Sequence, residues 1–204
     1  MTFDESQVLR LFSRLPLWRL IRQREARRFI EVLVRDAEEL AGPLCLFPGT
    51  RYEQLDSHYG FLDCLGAAND DLIADLCSHY AWQGVVWAAW IGALAPVQSY
   101  RRPLVEATPR APHNRWLIDL ALCEIDAANW TGDAALQRSV RRLRVLLARV
   151  PPVRIELRRR PTGLEALQLG RERDEATQAY RRCGLQAARA VIDRSAVLRF
   201  HLPR

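Results

Sequence analysis

The sequence predicts a mainly α-helical protein, either a multi-helix bundle or a short array of stacked helix pairs. Apolar residues recur at helical spacing along much of the chain, as in Leu20, Ile21, Phe29, Val32, Leu33 and Leu40. Thr2/Glu5, Thr50/Glu53 and Thr162/Glu165 have the spacing of a helix capping box. The stretch from Asn69 to Ala95 reads NDDLIADLCSHYAWQGVVWAAWIGALA, and no formal charge follows Asp75 until Arg101. It contains Trp82, Trp87 and Trp90. A helix that is apolar all round has to be covered by other elements, so this stretch predicts a central helix inside a helical shell.

Taken in order, a short first helix starts at Thr2, and Pro16 suits the first turn of a helix over 17–40, stopped by Gly42-Pro43. Its second face is mixed Arg and Glu, as expected of a solvated amphipathic helix. After the PLCLFPGT loop, Thr50 begins a helix reaching about Ala67, and Asn69-Asp70-Asp71 caps the next, with acids at its positive dipole end. The tryptophan helix follows and is stopped by Pro96. Residues 98–108 form a short helix interrupted by Pro103, and 113–128 an apolar helix. Residues 133–150 form a basic amphipathic helix ended by Pro151-Pro152. A long helical pattern runs from Thr162 to about Arg194, with breaks suggested near Gly170 or Gly184. VRIEL (153–157) and VLRFHL (197–202) alternate with period two, a strand signal that adds a small two-stranded β-ribbon near the C-terminus. Residues 1–150 read as a helical core domain and 151–204 as a basic helical extension packed on it within one structural domain.

All 30 basic residues are arginine. GC-rich coding accounts for that bias, and the absence of lysine excludes lysine Schiff bases, P-loop phosphate binding and the kinase strand lysine. Charge is polarised: residues 41–100 hold one Arg against six acids, whereas 137–204 hold 17 Arg against six acids. Five cysteines without a C-x-x-C argue against a disulfide framework. Cys64, Cys77 and Cys123 sit among apolar residues, as buried reduced thiols would, which fits a cytoplasmic protein. The N-terminal residues do not resemble a secretory signal. The run Ala81–Ala95 falls short of the roughly 20 residues a bilayer span needs. No membrane contact is expected.

No nucleophile elbow, zinc-protease, dinucleotide or P-loop motif is present, and no catalytic residue, cofactor or metal is assigned. The sharpest polar set is Asp71, Asp75 and His79, spaced to share one helix face. A carboxylate one turn before a histidine can orient the imidazole and favour its charged form, which makes Asp75 and His79 the candidates of an enzymatic reading. A metal site would need further ligands such as His58, Asp63 or Cys64. Asp119 sits on an apolar helix, where a buried carboxylate requires a partner such as Arg115. Arg138, Arg141, Arg142, Arg158, Arg159 and Arg160 form an arginine-rich set able to neutralise phosphates. Trp87 and Trp90 read as core, and Trp82, at the helix entrance, reads as a partly exposed interface anchor.

An offset of about 31 residues superposes Val86, Trp87, Trp90, Ile91 and Leu94 on Leu117, Ile118, Ala121, Leu122 and Ile125, the period of HEAT-like helix pairs. Leu76-Cys77 followed by Trp82, Val86, Ala88, Ala89, Trp90, Ala93 and Leu94, then Leu120-Ala121-Leu122, resembles small HEAT-like helical proteins encoded near bacterial toxins. These include immunity proteins of polymorphic toxin systems. The resemblance covers about residues 50–128. It implies a non-enzymatic cytoplasmic protein whose surface masks a cognate toxin. The expected function is therefore protein binding, with a basic toxin domain as partner. The docking residues are Asp56, Asp63, Asp70, Asp71, Asp75, His79 and Trp82. Nucleic-acid binding through the arginine-rich third is the alternative, and an enzyme using Asp75 and His79 the second.

Overall fold

The computed structural model describes residues 17–40, 68–148 and 159–201. Readings that fall elsewhere lie outside the described residues: the helices begun by Thr2 and Thr50, the 153–157 strand, Asp56, His58, Asp63, Cys64 and Arg158. The described residues form nine α-helices and no strand. The protein is mainly α. The chain divides into two compact units, residues 1–34 with 57–145 and residues 35–56 with 146–204.

The first unit contains the start of α1 (Gln23–Leu40), α2 (Asp70–Ser78), α3 (Trp82–Leu94), α4 (Arg101–Ala107), α5 (Arg115–Ile125) and most of α6 (Ala134–Leu147). Its centre is α3. Every residue of α3 from Gly84 to Leu94 is buried, including Trp87 and Trp90. With no polar side to leave facing water, the helix is enclosed by α2, α4, α5 and the 3-10 turn Leu17–Arg19. Each large side chain so buried contributes about 1.5–3 kcal/mol. Trp90 meets Trp116 of α5 edge-to-face, with ring centroids 6.3 Å apart at 81°, an arrangement that ring quadrupoles favour. The crossing of α2 and α3 depends on Gly84: a Cβ there would lie 2.4 Å from the backbone oxygen of Leu76.

Local chemistry accounts for the helix ends. Asn69 caps α2 by accepting from the Leu72 amide at 2.8 Å. Pro103 occupies the first turn of α4, where a missing N–H costs nothing, so it does not interrupt the helix. Asp133 starts α6 by accepting from the amides of Ala135 and Leu136, and its own amide donates to Gln23 of α1.

The second unit contains α7 (Gly163–Cys183), α8 (Leu185–Arg194) and α9 (Ala196–His201). Thr162 and Glu165 form the complete capping box at the start of α7. The break falls at Gly184, whose φ of 81° favours glycine; Gly170 stays helical. α8 and α9 both pack on α7. The expected strand over 197–202 is a helix through His201. Ser195 accepts from the Leu198 amide at 3.0 Å, which is an N-cap, so the alternating tail coils with Leu198 buried. No helix among the described residues is long and apolar enough to cross a membrane.

Candidate functional site

The acids of α2 arise from its capping. Asp70 and Asp71 occupy the first turn, where the helix dipole favours negative charge. Asp70 accepts from the Ser99 hydroxyl at 2.6 Å, and Asp71 is exposed with no partner among the described residues. One turn on, Asp75 Oδ1 lies 2.6 Å from His79 Nδ1, with the side chains 35% and 76% exposed. The Ser78 hydroxyl lies 3.1 Å from the same nitrogen and donates to the Ala74 carbonyl. His79 caps the helix by donating its backbone N–H to Asp75 O. Asp75 and His79 are thus brought together on open surface.

The concave feature lies past the end of α2. A groove of about 420 Å3 is lined by Ile21, Trp82, Arg110, Ala111, Pro112, His113 and Asn114. Two side chains position the walls: Asn114 Nδ2 donates to Leu20 O at 3.2 Å and Trp116 Nε1 to Ile21 O at 2.8 Å. The guanidinium of Arg110 donates to the carbonyls of Cys77 and Tyr80, satisfying the C-terminal end of α2. Trp82 is half-buried and forms one wall. No sequence motif marked this groove, because its walls come from segments distant in sequence.

Some members of the arginine-rich set already have acidic partners. Arg141 Nε donates to Glu124 Oε1 at 2.8 Å, and Arg144 pairs with Oε2 of the same carboxylate. The side chain of Glu124 is 2% exposed, and buried Gln137 donates to it at 2.7 Å. Arg138, Arg142 and Arg160 are exposed. Arg159 forks onto Glu165 at 3.1 and 2.7 Å and lies 5.4 Å from the centroid of the Phe200 ring. The buried carboxylate of α5 is therefore Glu124, not Asp119. Asp119 is half-exposed, 4.0 Å from Arg115.

No protein-family model, curated protein or solved structure matches the chain.

Burial pushes the Cys77 thiol up to about 12, with the nearby Arg110 charge opposing the shift. Cys123 is also raised, by burial and then by Asp119, Asp126 and Glu124, but it is only partly buried, against the expectation of a core thiol. Cys183 is exposed. Among the described residues no three His, Cys, Asp or Glu side chains converge as metal ligands would.

Proposed function

We propose that the chain is a protein-binding helical module of the immunity type, which masks a basic partner such as a toxin domain. The docking surface is the exposed face of α2 together with Trp82. The observation that carries this reading is the Asp71–Asp75–His79 face, exposed at Asp71 and His79 and half-exposed at Asp75, on the helix that precedes half-buried Trp82 in the chain. Of these acids, Asp71 has no cation beside it among the described residues, so its field reaches an approaching partner. Such charge steers encounter and selects partners more than it adds affinity, while a central aromatic supplies the anchor. In the finer reading α3 and α5, related by the 31-residue offset, are corresponding helices of neighbouring HEAT-like pairs; their direct packing supports it. The phosphate-binding alternative has less support, because Arg141, Arg144 and Arg159 already have carboxylate partners.

The test is affinity capture by the tagged full-length chain in its native host, repeated with Asp71→Arg/Asp75→Arg and with Trp82→Ala. The expected result is one stoichiometric basic protein. The charge reversal should slow its association about tenfold at low salt, and Trp82→Ala should speed its release about tenfold. A partner retained unchanged by both variants refutes the assignment of this face.

A further inference from the structure

The groove beyond α2 has its own ligand chemistry, although it shares Trp82 with the proposed docking surface. Its volume of about 420 Å3 lies within the roughly 300–1,000 Å3 of small-ligand sites. Ile21, Trp82, Ala111 and Pro112 give it an apolar lining. Arg110 supplies a fixed positive charge. Two of its N–H groups go to the carbonyls of Cys77 and Tyr80, which leaves about three of the five guanidinium donors. Among the described residues no carboxylate lies within ion-pair distance of Arg110. His113, also on the groove, has no acidic partner among the described residues either.

A single guanidinium, held by two backbone carbonyls beside an indole and a proline ring, matches a monoanion attached to an apolar body. The planar fork suits a carboxylate. A dianionic phosphate would retain an uncompensated charge against the apolar walls. We propose that this groove binds a carboxylate carried on an aromatic or branched apolar group, with the carboxylate on Arg110 and the apolar body between Trp82, Ile21 and Pro112.

Calorimetric titration of the full chain with 3-phenylpropanoate, N-acetylphenylalanine and the amides of both tests this directly. The acids should bind about tenfold or more tighter than the amides, the difference expected for a charge-assisted hydrogen-bonded pair. Preference for N-acetylphenylalanine identifies a chain terminus as the source, and equal binding of the two acids a free acid; either supports the shared chemistry. Ile21→Glu puts a like charge at an exposed wall position without touching the core and should lower acid affinity about tenfold. Arg110→Gln should do the same. Because Arg110 also ties down α2, Ile21→Glu decides if that variant loses its circular dichroism. Absence of saturable binding by the acids, equal binding of acids and amides, tighter binding of phenylphosphate, or an Ile21→Glu variant with unchanged affinity would each overturn the proposal.

Discussion

Replacing Glu124 with alanine tests what joins α5 to α6. The carboxylate is 2% exposed and takes hydrogen bonds from Gln137, Arg141 and Arg144, all on α6. Removing one member of a fully buried ion pair costs about 3–5 kcal/mol. Here Arg141 and Arg144 remain 49% and 30% exposed, so water takes over most of their lost pairing. The remainder is dominated by the stranded amide of Gln137, which costs about 1–3 kcal/mol. The expected loss for Glu124→Ala is therefore about 2–3 kcal/mol. Asp119→Ala, on the same helix but in a half-exposed pair, should cost under about 1 kcal/mol. All six tryptophans belong to the first unit, so urea unfolding followed by their fluorescence reports on that unit. With a slope of about 1–3 kcal/mol per molar urea, the Glu124→Ala midpoint should fall by about 1 M. Glu124→Leu combined with Gln137→Leu should recover much of the loss, since no buried polar group is then left without a partner. Equal midpoints for Glu124→Ala and Asp119→Ala would refute the reasoning.

Other perturbations read other parts of the fold. Gly84→Ala, with a Cβ 2.4 Å from backbone oxygen, should cost about 1–3 kcal/mol by the same urea assay, and more than Gly92→Ala, whose nearest neighbour is a leucine methyl at 3.1 Å. In the second unit, Thr162→Ala should cost about 1 kcal/mol by loss of the capping box, and Gly170→Ala, where a Cβ meets nothing within 4 Å, should add about 0.5–1 kcal/mol; hydrogen exchange of α7 amides measures both. Because burial holds Cys77 protonated up to about 12 against an ordinary value of 9.0, the folded state loses stability as pH rises from 9 towards 12 and is unaffected by this group below 9. Cys77→Ala should flatten that alkaline slope in urea titrations run at successive pH values.

Helix α3 was legible because apolar side chains around a whole circumference admit one solution, burial within other helices. The caps at Asn69 and Thr162 were legible for a comparable reason, each being decided by a few neighbouring residues. Elsewhere local signals competed. Gly170 and Gly184 look alike in sequence, yet only Gly184 adopts a left-handed φ; Gly170 stays helical at a cost of about 1 kcal/mol that a long helix absorbs. The 197–202 alternation spans too few residues to separate strand from helix, and the Ser195 cap outweighed it. Asp119 and Glu124 lie five positions apart on one apolar helix. Which of them is buried depends on where α6 packs. A trace of that was present in α6 itself, where Gln137, Arg141 and Arg144 form a polar stripe at helical spacing. The groove left no comparable trace, since Ile21, Trp82 and Arg110 meet only in the folded chain.

The same tertiary facts shape the electrostatics locally. Net charge ranks the 137–204 region as the strongest candidate for binding an anionic partner. Ion pairing trims that excess without removing it: an Arg about 3 Å from a carboxylate forms a nearly neutral pair, but the six acids of this region can offset only six of its 17 Arg. In the first unit Arg141 and Arg144 share the single negative charge of Glu124, and in the second Arg159, Arg173 and Arg194 lie beside Glu165, Asp174 and Glu175. On α2 the balance runs the other way: among the described residues Asp70 accepts from a hydroxyl, Asp71 has no partner, and Asp75 has a histidine. A chain with excess arginine thus keeps unpaired negative charge on one exposed helix face. Association at that face should slow as ionic strength rises, and Asp71→Arg/Asp75→Arg should reverse the sign of that dependence. Stopped-flow association of the captured partner at several salt concentrations measures the slope, and an unchanged slope in the variant would show that α2 does not steer the encounter.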